Sequence, residues 1–214
     1  MYIAIEGVIG VGKTTLARLL QPAFRAGLLL EVFEENPFLS DFYVDRERYA
    51  FQTQIFFLLS RYHQQRRTVT DLLGQTENLI ADYTFEKDAL FARINLHGDE
   101  LEMYYRVHEA LAEKIVVPDM VVYLRADTEV LMQRISFRDR PYERNMDRSY
   151  IEELNQAYES FFADHQSRRS PVLVMDTNNL DYVRSTEDLE WVADRIRQRL
   201  KMTPYQTELP LRMS

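Results

Sequence analysis

Residues 7–15 read GVIGVGKTT, directly after the apolar run Tyr2-Ile3-Ala4-Ile5. The run predicts a strand and the residues from Lys13 predict a helix. The pattern G-x-x-x-x-G-K-S/T therefore falls in the strand–loop–helix setting that gives it physical meaning. Glycine lets such a loop turn tightly and approach a phosphate chain without a Cβ in the way. The N–H groups of the loop and the helix start converge on the anion, aided by the helix dipole. The nucleotide-binding stretch is thus Gly7, Val8, Ile9, Gly10, Val11, Gly12, Lys13, Thr14 and Thr15. Lys13 is placed to reach the β- and γ-phosphates of a nucleoside triphosphate, and the Thr14 hydroxyl to bind Mg²⁺. The competing interpretation, a Gly-rich turn that binds nothing, does not account for strand, loop, Lys-Thr and helix all falling in order.

The 214 residues, 46% hydrophobic and 28% charged, suit one domain with a sizeable core. A formal net charge of −8 argues against a nucleic-acid partner, which favours a basic face. There is no cysteine, hence no disulfide framework and no thiolate metal site. The chain opens straight into a strand, with no signal-peptide pattern and no apolar run of membrane-spanning length, so a soluble cytoplasmic protein without a membrane partner is expected. His63, His97, His108 and His165 are scattered without ligand-like spacing.

Apolar runs alternate with segments of helical period. Strands are expected at residues 2–5, 28–33, 78–81, 121–124 and 171–175. Helices are expected at 13–26, stopped by Gly27 at a C′ position, then at 46 to about 73, 87–95, 100–116, 128–135, 150–165 and 185 to about 200. Ser185 and Asp188 resemble a capping box. Alternating strands and helices imply an α/β fold, a five-stranded parallel sheet with helices on both faces. The expected organisation is a single P-loop domain over residues 1–201, with an Arg-rich lid at about 134–148 and a C-terminal tail at 202–214.

Several polar residues fall where such a fold binds an acceptor. Glu31, at the end of the second expected strand, sits where ligands bind in parallel sheets and could take a proton from an attacking hydroxyl. Glu34 and Glu35 fit surface acids before a turn. On the long helix Phe51, Ile55, Leu58 and Tyr62 form an apolar stripe, and Gln54 and Arg61, seven apart, edge it. They could read a nucleobase edge or belong to an ordinary amphipathic helix. Asp82, closing the third strand, stands where a Mg²⁺-linked carboxylate is expected. Asp88 alone reads as an acid at a helix N-terminus. Arg134 and Arg138, i and i+4, with Arg140 just beyond, suit a lid closing over polyphosphate, or else a solvated basic helix end.

Together these residues resemble the deoxynucleoside kinase family, and the bacterial branch in particular. The likeness runs from the P-loop to about Asp181 through ENPFL, FQTQIFFLLSR, DYTFEKDALFA and DTNNLDYV. It implies a P-loop kinase fold, ATP and Mg²⁺ as cofactors, and a homodimer. By residue-to-residue match it implies Glu31 as catalytic carboxylate, Gln54, Arg61 and Asp88 as the base-reading set, and Tyr43 and Glu143 near the sugar 3′-hydroxyl. It further implies Arg134, Arg138 and Arg140 as lid arginines acting with Lys13, and Asp82 as the acid of the family's Glu/Asp-Arg-Ser motif. The arginine of that motif is Tyr83 here. Tyrosine supplies neither a charge nor a bidentate fork. Either another cation, Arg61 or a lid arginine, compensates, or activity is reduced or redirected.

The implied reaction is ATP-dependent phosphorylation of the 5′-hydroxyl of a deoxyribonucleoside, a salvage step. Polar matching to Asp88 and Gln54 favours deoxyadenosine, deoxyguanosine or deoxycytidine over thymidine, whose base offers two carbonyls and no amine. The alternatives are a nucleoside monophosphate kinase, whose charged acceptor Glu31 would repel, and a non-catalytic nucleotide-dependent switch.

Overall fold

The computed structural model describes residues 1–32, 35–144, 146–163 and 170–202. Within them five strands form one parallel sheet in the order β2-β3-β1-β4-β5. These are β1 (Tyr2–Glu6), β2 (Ala26–Leu29), β3 (Asn78–Ala81), β4 (Met120–Arg125) and β5 (Val172–Asp176). Strand alternation sends Ile3, Ile5 and Ile80 into the larger core. It sends Tyr2, Ala4, Leu79 and Ala81 into a smaller one on the other face. Both faces of β1 are buried throughout, which is why the central strand reads as a continuous apolar run.

Helices α1 (Lys13–Phe24), α2 (Leu39–Val44), α3 (Arg46–Gln64) and α4 (Thr70–Gln75) precede β3. Helices α5 (Lys87–Asn95) and α6 (Gly98–Ala112) lie between β3 and β4, and α7 (Thr128–Arg138) and α8 (Arg148–Ala163) between β4 and β5. Helix α9 (Thr186–Arg199) closes the fold. The Ser185 side chain accepts from the Asp188 N–H at 3.1 Å, so the cap predicted there forms. Among the described residues no helix is long and apolar enough to cross a membrane.

Three boundaries differ from the sequence expectation for physical reasons. Helix α1 stops at Phe24, and Arg25 takes the left-handed conformation (φ 47°), its N–H reaching the Pro22 carbonyl at 3.2 Å. Gly27 is therefore no helix stop but a β2 residue opposite Leu79. Strand β2 begins and ends earlier than expected, because the ladder with β3 runs from Ala26↔Asn78 to Leu29↔Ala81. Beyond that point the Asp82 side chain replaces the ladder, its Oδ1 accepting from the Glu31 N–H at 2.7 Å. Finally, the long helical stretch from Arg46 continues to Gln75 through a π-helical turn at Gln65–Val69, which delivers buried Val69 to the smaller core. Residues 203–214 of the expected tail, with Glu34 and His165, lie outside the described residues.

Candidate active site

The C-terminal ends of β1, β2 and β3 open into one cavity of about 260 Å³. Its floor is the loop between β1 and α1. Gly7 has φ 148° and Gly12 has φ 102°. A Cβ on Gly7 would lie 2.3 Å from the Leu124 carbonyl oxygen, and one on Gly12 would lie 2.3 Å from the Tyr182 hydroxyl. Gly12, at the N-cap of α1, has no side chain to cap the helix, so its first N–H groups are left to face the loop. Lys13 Nζ donates to the Gly7 and Val8 carbonyls at 2.7 and 3.1 Å. Burial, then the nearby charge of Lys87, draw its pKa down to about 8. The Tyr182 hydroxyl donates to the Val11 carbonyl at 3.2 Å, fixing the outer turn of the loop.

Thr14 and Asp82 meet at the edge of this floor, the hydroxyl donating to Oδ2 at 2.5 Å. One hydroxyl and one carboxylate beside a phosphate cradle suit Mg²⁺, which keeps waters and phosphate oxygens as its other ligands. Among the described residues no group of three or more acidic, histidine or cysteine side chains could hold a metal alone. The residues present thus fit a nucleotide-bound Mg²⁺ rather than an all-protein cage.

Across the cavity stands Glu31. Arg61 donates to its Oε1 through Nε at 2.9 Å and through Nη2. Lys87 donates to its Oε2 at 2.8 Å. Burial pushes the Glu31 pKa upward, but the two cations outweigh it and hold the carboxyl far below the usual carboxylate range. Arg61 also contacts Asp88 Oδ1 through Nη1, so it bridges two carboxylates. Its guanidinium carbon lies 4.4 Å from the centre of the Phe57 ring. Asp88 is fully buried, and its Oδ2 accepts no hydrogen bond from a described residue.

A further side of the cavity carries Arg138, Arg140, Tyr142 and Glu143. Glu143, 5% exposed, takes Arg138 Nη2 on both oxygens at 2.7 and 2.6 Å, with Arg140 Nη1 at 3.6 Å. Tyr43 faces them, its ring stacked on Tyr142 with centroids 6.2 Å apart.

Glu31, Lys13, Thr14, Tyr43, Gln54, Arg61, Asp82, Arg138, Arg140 and Glu143 all line this one cavity, although they come from across the chain. Two residues do not behave as expected. Arg134 is turned away from the cavity. It donates to Thr177 Oγ1 at 3.0 Å, the Thr177 carbonyl at 2.6 Å and the Val11 carbonyl at 3.4 Å. The three arginines therefore do not converge, because the first is fixed to the base of the loop. Asp88 lies behind Arg61 rather than on the wall.

Three residues passed over in the sequence matter to the geometry. Tyr182 holds the loop. Glu6, fully buried, accepts from the Gly7 N–H at 3.1 Å, the Thr84 N–H at 2.6 Å and the Tyr158 hydroxyl at 3.2 Å, tying the loop entry to the segment after β3. Lys87, 5% exposed, holds Glu31. A sequence signal for Lys87 exists: it is the first residue of α5, where the helix dipole disfavours a cation.

The family profile described as deoxynucleoside kinase matches residues 3–201. The chain is 35% identical over 199 residues to the deoxyguanosine kinase of Bacillus subtilis (strain 168), covering 92% of this chain and 96% of that one. It is 31% identical over 204 residues to the deoxyadenosine/deoxycytidine kinase of the same organism, covering 91% and 90%. Among solved structures, deoxyadenosine kinase from M. mycoides with dCMP and a flexible dCDP superposes with a TM-score of 0.79 at 28% identity, over 93% of this chain and 100% of that one. The same enzyme has been solved with bound dATP, covering 92% of this chain and 99% of that one, also with a TM-score of 0.79. On the profile match and the two Bacillus relatives, this chain belongs to the deoxynucleoside kinase family.

Proposed function

We propose that the protein transfers the γ-phosphoryl group of MgATP to the 5′-hydroxyl of a deoxyribonucleoside. The observation that carries this reading is that Lys13 and Thr14, from the phosphate loop, share one cavity with Glu31, an ionised carboxylate on the opposite wall. A carboxylate there suits a neutral hydroxyl acceptor, which it can orient and relieve of a proton in the transition state. Lys13 moves from the loop carbonyls onto the phosphates. Arg138 and Arg140 steady the charge of the transferring group, as cations aimed at developing charge do. Arg134 acts indirectly, keeping the loop shaped through Val11. Thr14 and Asp82 hold Mg²⁺, which when bound neutralises charge on the β- and γ-phosphates.

Tyr43 and Glu143 lie together on the lid side and suit the sugar 3′-hydroxyl. Gln54, 3% exposed and on the cavity wall, suits a base edge, with the Arg61–Asp88 pair beside it. The Gln54 amide and the Arg61 guanidinium on the wall, with the Asp88 carboxylate behind Arg61, offer adenine, cytosine or guanine more complementary partners than thymine. Residues 1–201 act as one domain with residues 134–148 as its lid. The reading also carries a cytoplasmic homodimer, which light scattering of the purified chain checks.

A phosphorylation assay against the four deoxynucleosides and their monophosphates tests the reading. The expected result is a deoxynucleoside as acceptor, with thymidine the poorest. Preference for a monophosphate acceptor, or ATP hydrolysis indifferent to every nucleoside, overturns the reaction. A thymidine kcat/KM equal to the best overturns the base assignment.

A further inference from the structure

Glu31 carries a cation on each oxygen, and the sequence points to only one of them. Arg61 holds Oε1, while Lys87 holds Oε2 at 2.8 Å from the other side. Lys87 is buried, 5% exposed, and Glu31 is the carboxylate it pairs with. A lysine at the first position of a helix works against the helix dipole, so local preference does not put it there. Its ammonium also lies 5.8 and 5.9 Å from the centres of the Tyr83 and Phe91 rings, which flank it.

Tyr83, standing where the family pattern has arginine, does not point at Glu31. It is fully buried in the smaller core, and its hydroxyl donates to Gln64 Oε1 at 2.7 Å. Gln64 Nε2 in turn donates to the Leu30 carbonyl at 2.8 Å, the residue just before Glu31. The tyrosine thus braces the backbone beside the carboxylate and contributes no charge. Arg138 and Arg140 are engaged by Glu143. In the buried cluster two cations, Arg61 and Lys87, balance two carboxylates, Glu31 and Asp88. Arg61 is shared between them; Lys87 serves Glu31.

We propose that Lys87 is the positioning cation for Glu31, holding its carboxylate aimed while Arg61 is engaged with Asp88 beside the base site. The assignment rests on the kinase reading above. The work of one motif arginine is divided between a brace, Tyr83–Gln64–Leu30, and a charge delivered four residues later.

The chain has no cysteine, which permits a direct test. The full-length protein is assayed with MgATP and each deoxynucleoside, first as the parent, then as Lys87→Met, Lys87→Arg and Lys87→Cys. The Lys87→Cys protein is also assayed after alkylation with 2-bromoethylamine, which rebuilds an ammonium of nearly lysine length, and with iodoacetamide, which adds a neutral amide. Thermal unfolding of each variant is followed alongside. Lys87→Met and untreated Lys87→Cys are expected to lose about 10²-fold in kcat, the scale of a misplaced reacting group. Their KM for ATP is unchanged, and kcat and kcat/KM fall together, as for an interaction made in the transition state. Lys87→Arg retains most of the turnover, and bromoethylamine but not iodoacetamide restores it. A folded Lys87→Met with a kcat within about threefold of the parent overturns the proposal, since no transition-state contact has been lost. So does rescue by the neutral reagent, or failure of the ammonium to rescue a variant that melts like the parent. A parent that phosphorylates no deoxynucleoside sinks the kinase reading itself; an active parent indifferent to Lys87 sinks only this assignment.

Discussion

The two walls of the cavity are built in opposite ways. The phosphate wall is contiguous: nine residues, Gly7 to Thr15, supply a loop, a lysine and a hydroxyl, and its shape lies in backbone conformation. The acceptor wall is distributed: Glu31 after β2, Arg61 on α3, and Lys87 and Asp88 on α5 meet only because the sheet and helices bring them together. The first wall needs few side chains to be held by others. The second is a buried ion cluster, in which each charge is tolerable only because its partners are present. Damage to the first should therefore read out as nucleotide affinity and loop strain, and damage to the second as turnover.

The sharpest way to break that contrast is Glu31→Gln. Amide and carboxylate are nearly isosteric, so the side-chain volume is kept while the proton acceptor, and the charge partner of Lys87, is lost. Turnover is expected to fall about 10²–10⁴-fold, the range for removal of a general base, with KM for ATP little changed. Steady-state kinetics on the best deoxynucleoside measures it. Near-parental turnover would remove Glu31 from the chemistry and leave the acceptor wall with a binding role only.

Next in size is Gly12→Ala on the opposite wall. The residue has φ 102°, and its Cβ would come within 2.3 Å of the Tyr182 hydroxyl. Displacing the loop by about 1 Å should cost about 10² in kcat/KM for ATP. KM for the deoxynucleoside should hold, because Gln54 and Arg61 belong to the other wall. If that KM rises equally, the two walls are not separable in the way their construction suggests.

The contrast also accounts for what the sequence makes legible. A contiguous motif with fixed backbone demands shows itself in nine letters, as do the capped α9 and the apolar central strands. That Glu31, Gln54, Arg61 and Asp82 face one cavity is legible, because strand ends and helix periodicity place them. Lys87 shows in the sequence only as a cation at a helix start, and its meaning depends on a carboxylate 56 residues away. The direction of Arg134 is hidden for a related reason: i, i+4 spacing puts it on the face of Arg138, but Thr177 and Val11 capture its guanidinium. The early end of β2 is equally invisible, since a side chain from the next strand, Asp82, terminates the ladder. Periodicity reports which face a residue occupies; it does not report which long-range partner claims its charge.

The smallest expected effect tests the phosphate wall most finely. Tyr182→Phe deletes only the hydroxyl that donates to the Val11 carbonyl. Arg134 Nη1, 3.4 Å from the same oxygen, remains to partner it, so the carbonyl is not abandoned. The loss is then that of one shared hydrogen bond, about 1 kcal/mol. If it falls wholly on the bound loop conformation, KM for ATP rises about fivefold. Combined with Gly12→Ala the outcome changes sign. The hydroxyl is the atom nearest the introduced Cβ, while the ring carbons stand at 3.4 and 3.9 Å. Removing it therefore relieves the clash, and the double variant should bind ATP better than Gly12→Ala alone, a non-additive result expected of groups in contact. The left-handed φ remains, so recovery is partial. A double variant as poor as the sum of its parts would show that backbone conformation alone demands glycine at residue 12.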